Sequence, residues 1–137
     1  MIPWGFSPRY HEHVPQPTPS IEATQHRVLR GASMFGEDLS GADLRGADLI
    51  LTNLEAATLT GAQMADARIF GCRMRNASLQ DAILSRALGR DADFEGASLH
   101  GADLQGADLR GAIFLEADLR NADLRGADLR QADMRHS

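Results

Sequence analysis

Five histidines, one cysteine and nineteen carboxylates are the side chains of this 137-residue sequence that could carry chemistry. His11-Glu12-His13 brings two imidazoles and a carboxylate into one short run, the beginning of a metal site. Two nitrogen ligands without a convergent third do not hold a zinc-type ion, so no metal is expected there. His100 and His136 stand far from it and from each other. Cys72 is the single cysteine, which rules out an intrachain disulfide. It takes a place otherwise filled by alanine, so it reads as a small buried residue and not a nucleophile. The glycines do not form the GxxxxGK[ST] loop that cradles phosphates. The aspartates recur at a fixed interval instead of converging on one point. With no acid–base pair and no activated nucleophile, neither enzyme activity nor a cofactor is expected.

The interval that spaces the aspartates also spaces everything else. From Ala32 to Met134 the chain reads in pentads, each centred on a residue here called i. Of 21 centres, 20 are large and apolar, and 18 of the 21 residues at i−2 are alanine. The exceptions at i−2 are Glu37, Thr52 and Cys72. Helices want apolar spacings of three and four, and strands want two. A strict five fits neither, so each pentad must contain its own change of direction. Alternation runs inward, outward, inward through Ala-Asp-Leu, and the next two residues make a corner. Glycine stands at i+2 in 10 of 21 pentads and Asn or Asp in 5 more, the residues that tolerate turns.

Tandem A(D/N)LxG from Ala32 to about His136 resembles the pentapeptide-repeat family. The resemblance implies an all-β fold, a right-handed quadrilateral parallel β-helix with four pentads per coil. The residues carry a test of that number. Spacing by twenty puts Met34, Leu54, Met74, Phe94, Phe114 and Met134 on one side, and five of these six centres are not leucine. On the other three sides only Met64, Ile69 and Gly89 depart from leucine. Twenty-one pentads make about five coils, a rod on the order of 25 Å long.

Residues 1–18 form a different, Pro-rich tail, read as extended. Residues 19–31 read as a short N-terminal capping helix or a partial first coil, with Thr18 as cap, Pro19 at the first turn and Leu29 able to serve as a centre. Residues 32–137 are the β-helix. The net charge is −5, with 14 arginines and no lysine, and the repeats alone (17 acids, 11 arginines) carry −6. That argues against direct nucleic-acid binding. No apolar run is long enough for a membrane helix and no signal segment leads the chain, so a cytoplasmic protein is expected.

Departures from the pentad locate the candidate contacts. Ile50 and Phe70 occupy i+1 one coil apart and should make an exposed apolar ridge, with Phe35 at another i+1 nearby. Trp4, Phe6 and Tyr10 are three of the seven aromatic residues, and a plain linker would rarely carry them. These six are the candidate partner-contact residues. Gly89, the one centre without a side chain, predicts a kink or bulge over 83–90 with Leu88 turned inward. Arg90, Arg110 and Arg130 should share one side with Asp108 and Asp128 in a mixed charge ladder. The final coil has open backbone and apolar centres, which predicts a homodimer through the C-terminal coil.

Together these features predict a non-catalytic scaffold that presents a rigid surface to a protein partner. The resemblance adds an alternative. Some pentapeptide-repeat proteins look like B-form DNA and bind DNA gyrase or topoisomerase IV, which protects against quinolones. The acids that would do this here are Asp103, Asp108, Asp118, Asp123 and Asp128.

Overall fold

A computed structural model describes residues 29–137. Over that whole span the backbone coils with one repeating conformation. Seventeen isolated bridges, from Ser33 with Asn53 to Ile113 with Asp133, join residues twenty apart, and every one is parallel. Each lap therefore holds four pentads, as the twenty-residue clustering of non-leucine centres predicts. The bridging residue is always i−1, and the residues either side of it point inward.

All five amides of a pentad can be accounted for, and the account explains the motif. The i amide donates to the carbonyl nineteen residues on, as Leu44 does to Gln63 at 2.7 Å. The i+2 amide does the same, Gly46 to Ala65 at 2.9 Å. The i−1 amide reaches back to the previous lap, Gln63 to Ala42 at 2.8 Å. The i−2 amide closes the corner onto the preceding centre, Ala47 to Leu44 at 3.1 Å. Only the i+1 amide is left, and there the side chain at i−1 acts. In eleven pentads an Asp or Asn oxygen at i−1 accepts it, for example Asp38 from Ser40 at 3.0 Å and Asn53 from Glu55 at 3.0 Å. The Asp of each A(D/N)LxG unit is thus a local backbone acceptor, which short Asx side chains supply well.

The corner itself places i+2 in the left-handed region. Eleven glycines and eleven other residues adopt it, all with φ between 57° and 72°. One left-handed residue in third place, with an i to i+3 hydrogen bond, is the type II pattern. Leu51 and Arg86 take this conformation despite its steric cost of about 1–2 kcal/mol, because stacking on the laps either side fixes it. At some corners the neighbour adds to the φ: a Cβ on Gly96, Gly101 or Gly111 would drive into the side-chain oxygen of Asn76, Asp81 or Asp91 one lap below.

The core is a column of centres walled by alanines. Leu54, Met74, Phe94 and Phe114 are fully buried in the ladder first read from the sequence, while Met34 and Met134 at its ends are half-buried. Buried polar atoms beside this ladder are satisfied: Thr52 Oγ1 donates to the Leu29 carbonyl at 2.7 Å and Cys72 Sγ to the Thr52 carbonyl at 3.2 Å. Leu29 behaves as a centre, its N–H donating to Asp48 O at 2.9 Å. The rest of the expected capping helix lies outside the described residues.

The kink expected at 83–90 is absent. Ile83 and Leu88 bridge to both neighbouring laps in unbroken register. Leu88 points outward and is 39% exposed. The space at Gly89 is taken by its vertical neighbours: a Cβ there would lie 3.0 Å from Leu109 Cδ2 and 3.2 Å from Ile69 Cδ1. A solenoid core accommodates a missing side chain by letting the laps above and below lean in, which costs less than bending seventeen bridges out of register.

Candidate interaction surface

An apolar strip follows a single corner of the rod. The i+1 column there runs Arg30, Ile50, Phe70, Arg90, Arg110, Arg130. Ile50 and Phe70 are half-buried, less open than the ridge expected of them. The exposure lies beside them, on Leu51, which is 63% exposed at i+2. Leu51 is held over Gly71, where an added Cβ would meet its Cδ2 at 2.8 Å. Leu88 continues the strip diagonally. It stands eighteen residues after Phe70, the offset at which Arg90 Nε reaches Asp108 at 2.8 Å and Arg75 Nε reaches Asp93 at 2.6 Å. Phe35 is 61% exposed but sits on the next corner, so it borders the strip and does not join it. Leu51 was the residue to find from sequence: a large apolar side chain at a corner position is as irregular as an aromatic at i+1. Trp4, Phe6 and Tyr10, and His11 to His13, lie outside the described residues.

Arginines box the strip. Arg30 and Arg90 close its column at either end, Arg68 lies on one flank and Arg73 on the other. Arg30 and Arg68 share one carboxylate, Asp48, at 2.5 and 3.6 Å. Arg73 has Glu55 at 3.7 Å. The strip is thus apolar with a rim of arginine–carboxylate pairs.

Of the acids proposed for DNA mimicry, Asp108 and Asp128 stack above Leu88 on the strip's own side and Asp103, Asp118 and Asp123 occupy other sides, and most are not bare. Asp118 is bracketed by Arg120 at 2.7 Å, Asp123 by Arg125 at 2.6 Å and Asp128 by Arg130 at 2.6 Å. Asp108 holds both Arg90 and Arg110, and Arg110 reaches on to Asp128 at 3.7 Å. The expected mixed ladder is therefore a continuous chain of alternating charge. Asp103 accepts the Gln105 amide. An Asp-x-Arg pair within one pentad satisfies the i+1 amide and neutralises the acid in the same stroke.

That pairing has an acid signature. Asp43, Asp118 and Asp133 are each held down to about 2, first by the side-chain hydrogen bond from the arginine two residues on and then by that residue's backbone N–H. A carboxylate lowered in the folded state adds stability that is full above its unfolded pKa and fades as pH falls through the folded one. Stability should hold from neutral pH to about 4 and decline between about 4 and 2. Arg120→Ala should raise the Asp118 midpoint in a carboxyl NMR titration. A decline beginning near pH 6 would instead point to the histidines.

The remaining reactive groups are placed as packing or isolated groups. Burial pushes the Cys72 thiol up to about 12, which suits a core residue. His100 stands beside Asp118, and its Nδ1 is buried without a hydrogen-bond partner among the described residues. No helix among the described residues is long and apolar enough to cross a membrane.

Comparison with known proteins agrees with this geometry. The family described as Pentapeptide repeats matches residues 38–76, 72–111 and 102–137 in eight copies. Among solved structures, HetL of the cyanobacterium Nostoc sp. strain PCC 7120, a pentapeptide repeat protein involved in heterocyst differentiation regulation, is 39% identical with a TM-score of 0.68. The likeness covers 77% of this chain and 50% of HetL, so this chain spans about half the length of that protein. A pentapeptide repeat protein from the cyanobacterium Cyanothece 51142 is 21% identical with a TM-score of 0.60, covering 74% of this chain and 86% of that one, a likeness of fold alone. The Nostoc PCC 7120 protein alr5209 is 38% identical over 68% of this chain and 64% of its own, with a TM-score of 0.46. No curated protein matches the chain.

Proposed function

Because the chain belongs to the pentapeptide-repeat family of right-handed β-helices, whose members are generally not enzymes, we propose that it is a non-catalytic scaffold of about five coils whose outer surface binds a protein partner. The carrying observation is the strip of Ile50, Leu51, Phe70 and Leu88, apolar side chains grouped on a rod whose surface is rich in charge pairs. Exposed apolar side chains grouped on a rigid surface mark contact sites more often than scattered ones do. The reading includes a cytoplasmic location.

Leu51→Asp tests the partner surface, because Leu51 is open to solvent and its replacement leaves the core intact. Wild type and an Arg125→Ala control should retain a common crosslinked partner from source cells, and Leu51→Asp should lose it. An identical set of partners for all three would end this reading. The alternative, mimicry of DNA toward a topoisomerase, is less favoured because four of its five acids already carry an arginine. A gyrase supercoiling assay with and without a quinolone decides it, since no effect in either condition would sink the mimic.

The same reading includes a homodimer through the C-terminal coil. Leu119, Leu124, Leu129 and Met134 are only half-buried, unlike the centres of the inner laps. The amides of Leu124 and Leu129 find no backbone acceptor among the described residues. A second copy would cover both. Light scattering should give twice the chain mass for wild type and a smaller mass for Leu124→Asp; a monomeric wild type would remove the dimer.

A further inference from the structure

We propose that the apolar strip is a docking site for the chain's own N-terminal segment, engaged through Trp4 and Phe6. The strip is shared with the scaffold reading, but the inference does not need a partner to exist.

Three observations point to this occupant. The first is where the segment joins the rod. Residues 1–28 lead into Leu29, and the chain then runs beneath the strip: Gly31 N–H donates to the Ile50 carbonyl at 2.9 Å. The segment is delivered to the corner that carries Ile50 and Leu51, one lap below them. The second is reach. Twenty-four residues lie between Trp4 and Leu29, and at roughly 3.3 Å each they could span about 80 Å. Phe70 is two laps away, roughly 10 Å. Tethering makes the encounter intramolecular, so modest contacts suffice.

The third is chemistry. The strip offers aliphatic and aromatic side chains inside a rim of arginines, and aromatic rings satisfy both, burying area on Leu51 and Phe70 while presenting faces to guanidinium groups. Three of the seven aromatics of the chain lie within the first ten residues. The segment carries Arg9 and Arg27 against Glu12 and Glu22, so it brings no net positive charge against the rim.

Trp4 is the only tryptophan, so the full-length chain reports on itself. Its emission should be blue-shifted, and its acrylamide quenching constant several-fold lower, relative to a synthetic peptide of residues 1–28. Phe70→Asp and Leu51→Asp, shown folded by circular dichroism, should return both readings to the peptide values. Dilution of wild type should change neither. Wild-type Trp4 as accessible as the peptide would overturn the proposal. So would protection that survives Phe70→Asp and Leu51→Asp alike, or protection lost on dilution, which would place the segment on a second copy. Each of these failures leaves the partner experiment standing, because that experiment reads Leu51 through crosslinking and not through Trp4.

Discussion

Phe94→Ala should destabilise the rod by about 3–5 kcal/mol. Phe94 and Phe114 are fully buried and stacked one lap apart, with ring centroids 4.9 Å apart and planes 2° from parallel. The centroid distance is that of the strand spacing itself, so the backbone ladder sets the stack and the rings fill the column it leaves. Truncating Phe94 opens a void that neighbours on rigid laps close only in part, and it strips Phe114 of one face, a further loss of about 0.5–1.5 kcal/mol. Phe94→Leu restores the residue most centres use and should cost less than about 1.5 kcal/mol. In a chain of this size each kcal/mol lowers Tm by about 4 °C or more, so melts separate the two variants easily. Equal losses for Ala and Leu would show that ring stacking, and not filled volume, holds this part of the column.

The phase of the repeat made the inside legible. A five-residue period with Leu at i and Ala at i−2 admits one closed path, and the side with the non-leucine centres supplied the number of pentads in a lap. The outside was read less well, for a physical reason. Aspartate at i−1 looked like a solvated row, because a polar residue between two apolar ones needs no further cause to face water. Its local task appears only when every amide is followed to an acceptor and the i+1 donor is left over. That task changes the functional weighing. An acid already holding a backbone N–H and an arginine, as Asp118 and Asp123 do, has little of its charge left for a distant basic surface. Leu51 was overlooked for a related reason: i+2 was judged by how many of its residues tolerate a corner, which hides the one that is conspicuous by size.

The repeat does reveal which departures the fold absorbs and which it displays. At i, a departure is absorbed by the laps above and below, as at Gly89. At i+1 or i+2 it has nowhere to go but outward, as at Leu51 and Phe35. Variation at i+1 therefore alters what the rod can bind without disturbing the core, while at i+2 a residue other than glycine carries the left-handed cost of about 1–2 kcal/mol; the exposed large apolar residues Phe35, Leu51 and Leu88 all lie before the regular repeats that close the rod.

Gly89→Leu restores the motif and should nonetheless destabilise the protein, by about 1–3 kcal/mol. The motif argues the other way, since an empty centre invites filling. The contacts decide it: the first carbon alone would stand 3.0 Å from Leu109 Cδ2 and 3.2 Å from both Cδ1 and Cγ1 of Ile69, before the three carbons beyond it are placed. Gly89→Ala should fall near neutral, because the methyl crowds only the far ends of two side chains while removing freedom from the unfolded chain offsets part of that strain. Leu109→Ala alone opens a cavity and costs about 2–5 kcal/mol. Combined with Gly89→Leu, it vacates space for the new side chain, so the double variant should be more stable than the sum of the single losses predicts, with a coupling of about 0.5–3 kcal/mol in a denaturant-midpoint cycle. A gain in stability from Gly89→Leu alone would mean that Ile69 and Leu109 do not occupy the site, and that the column has a void at this lap.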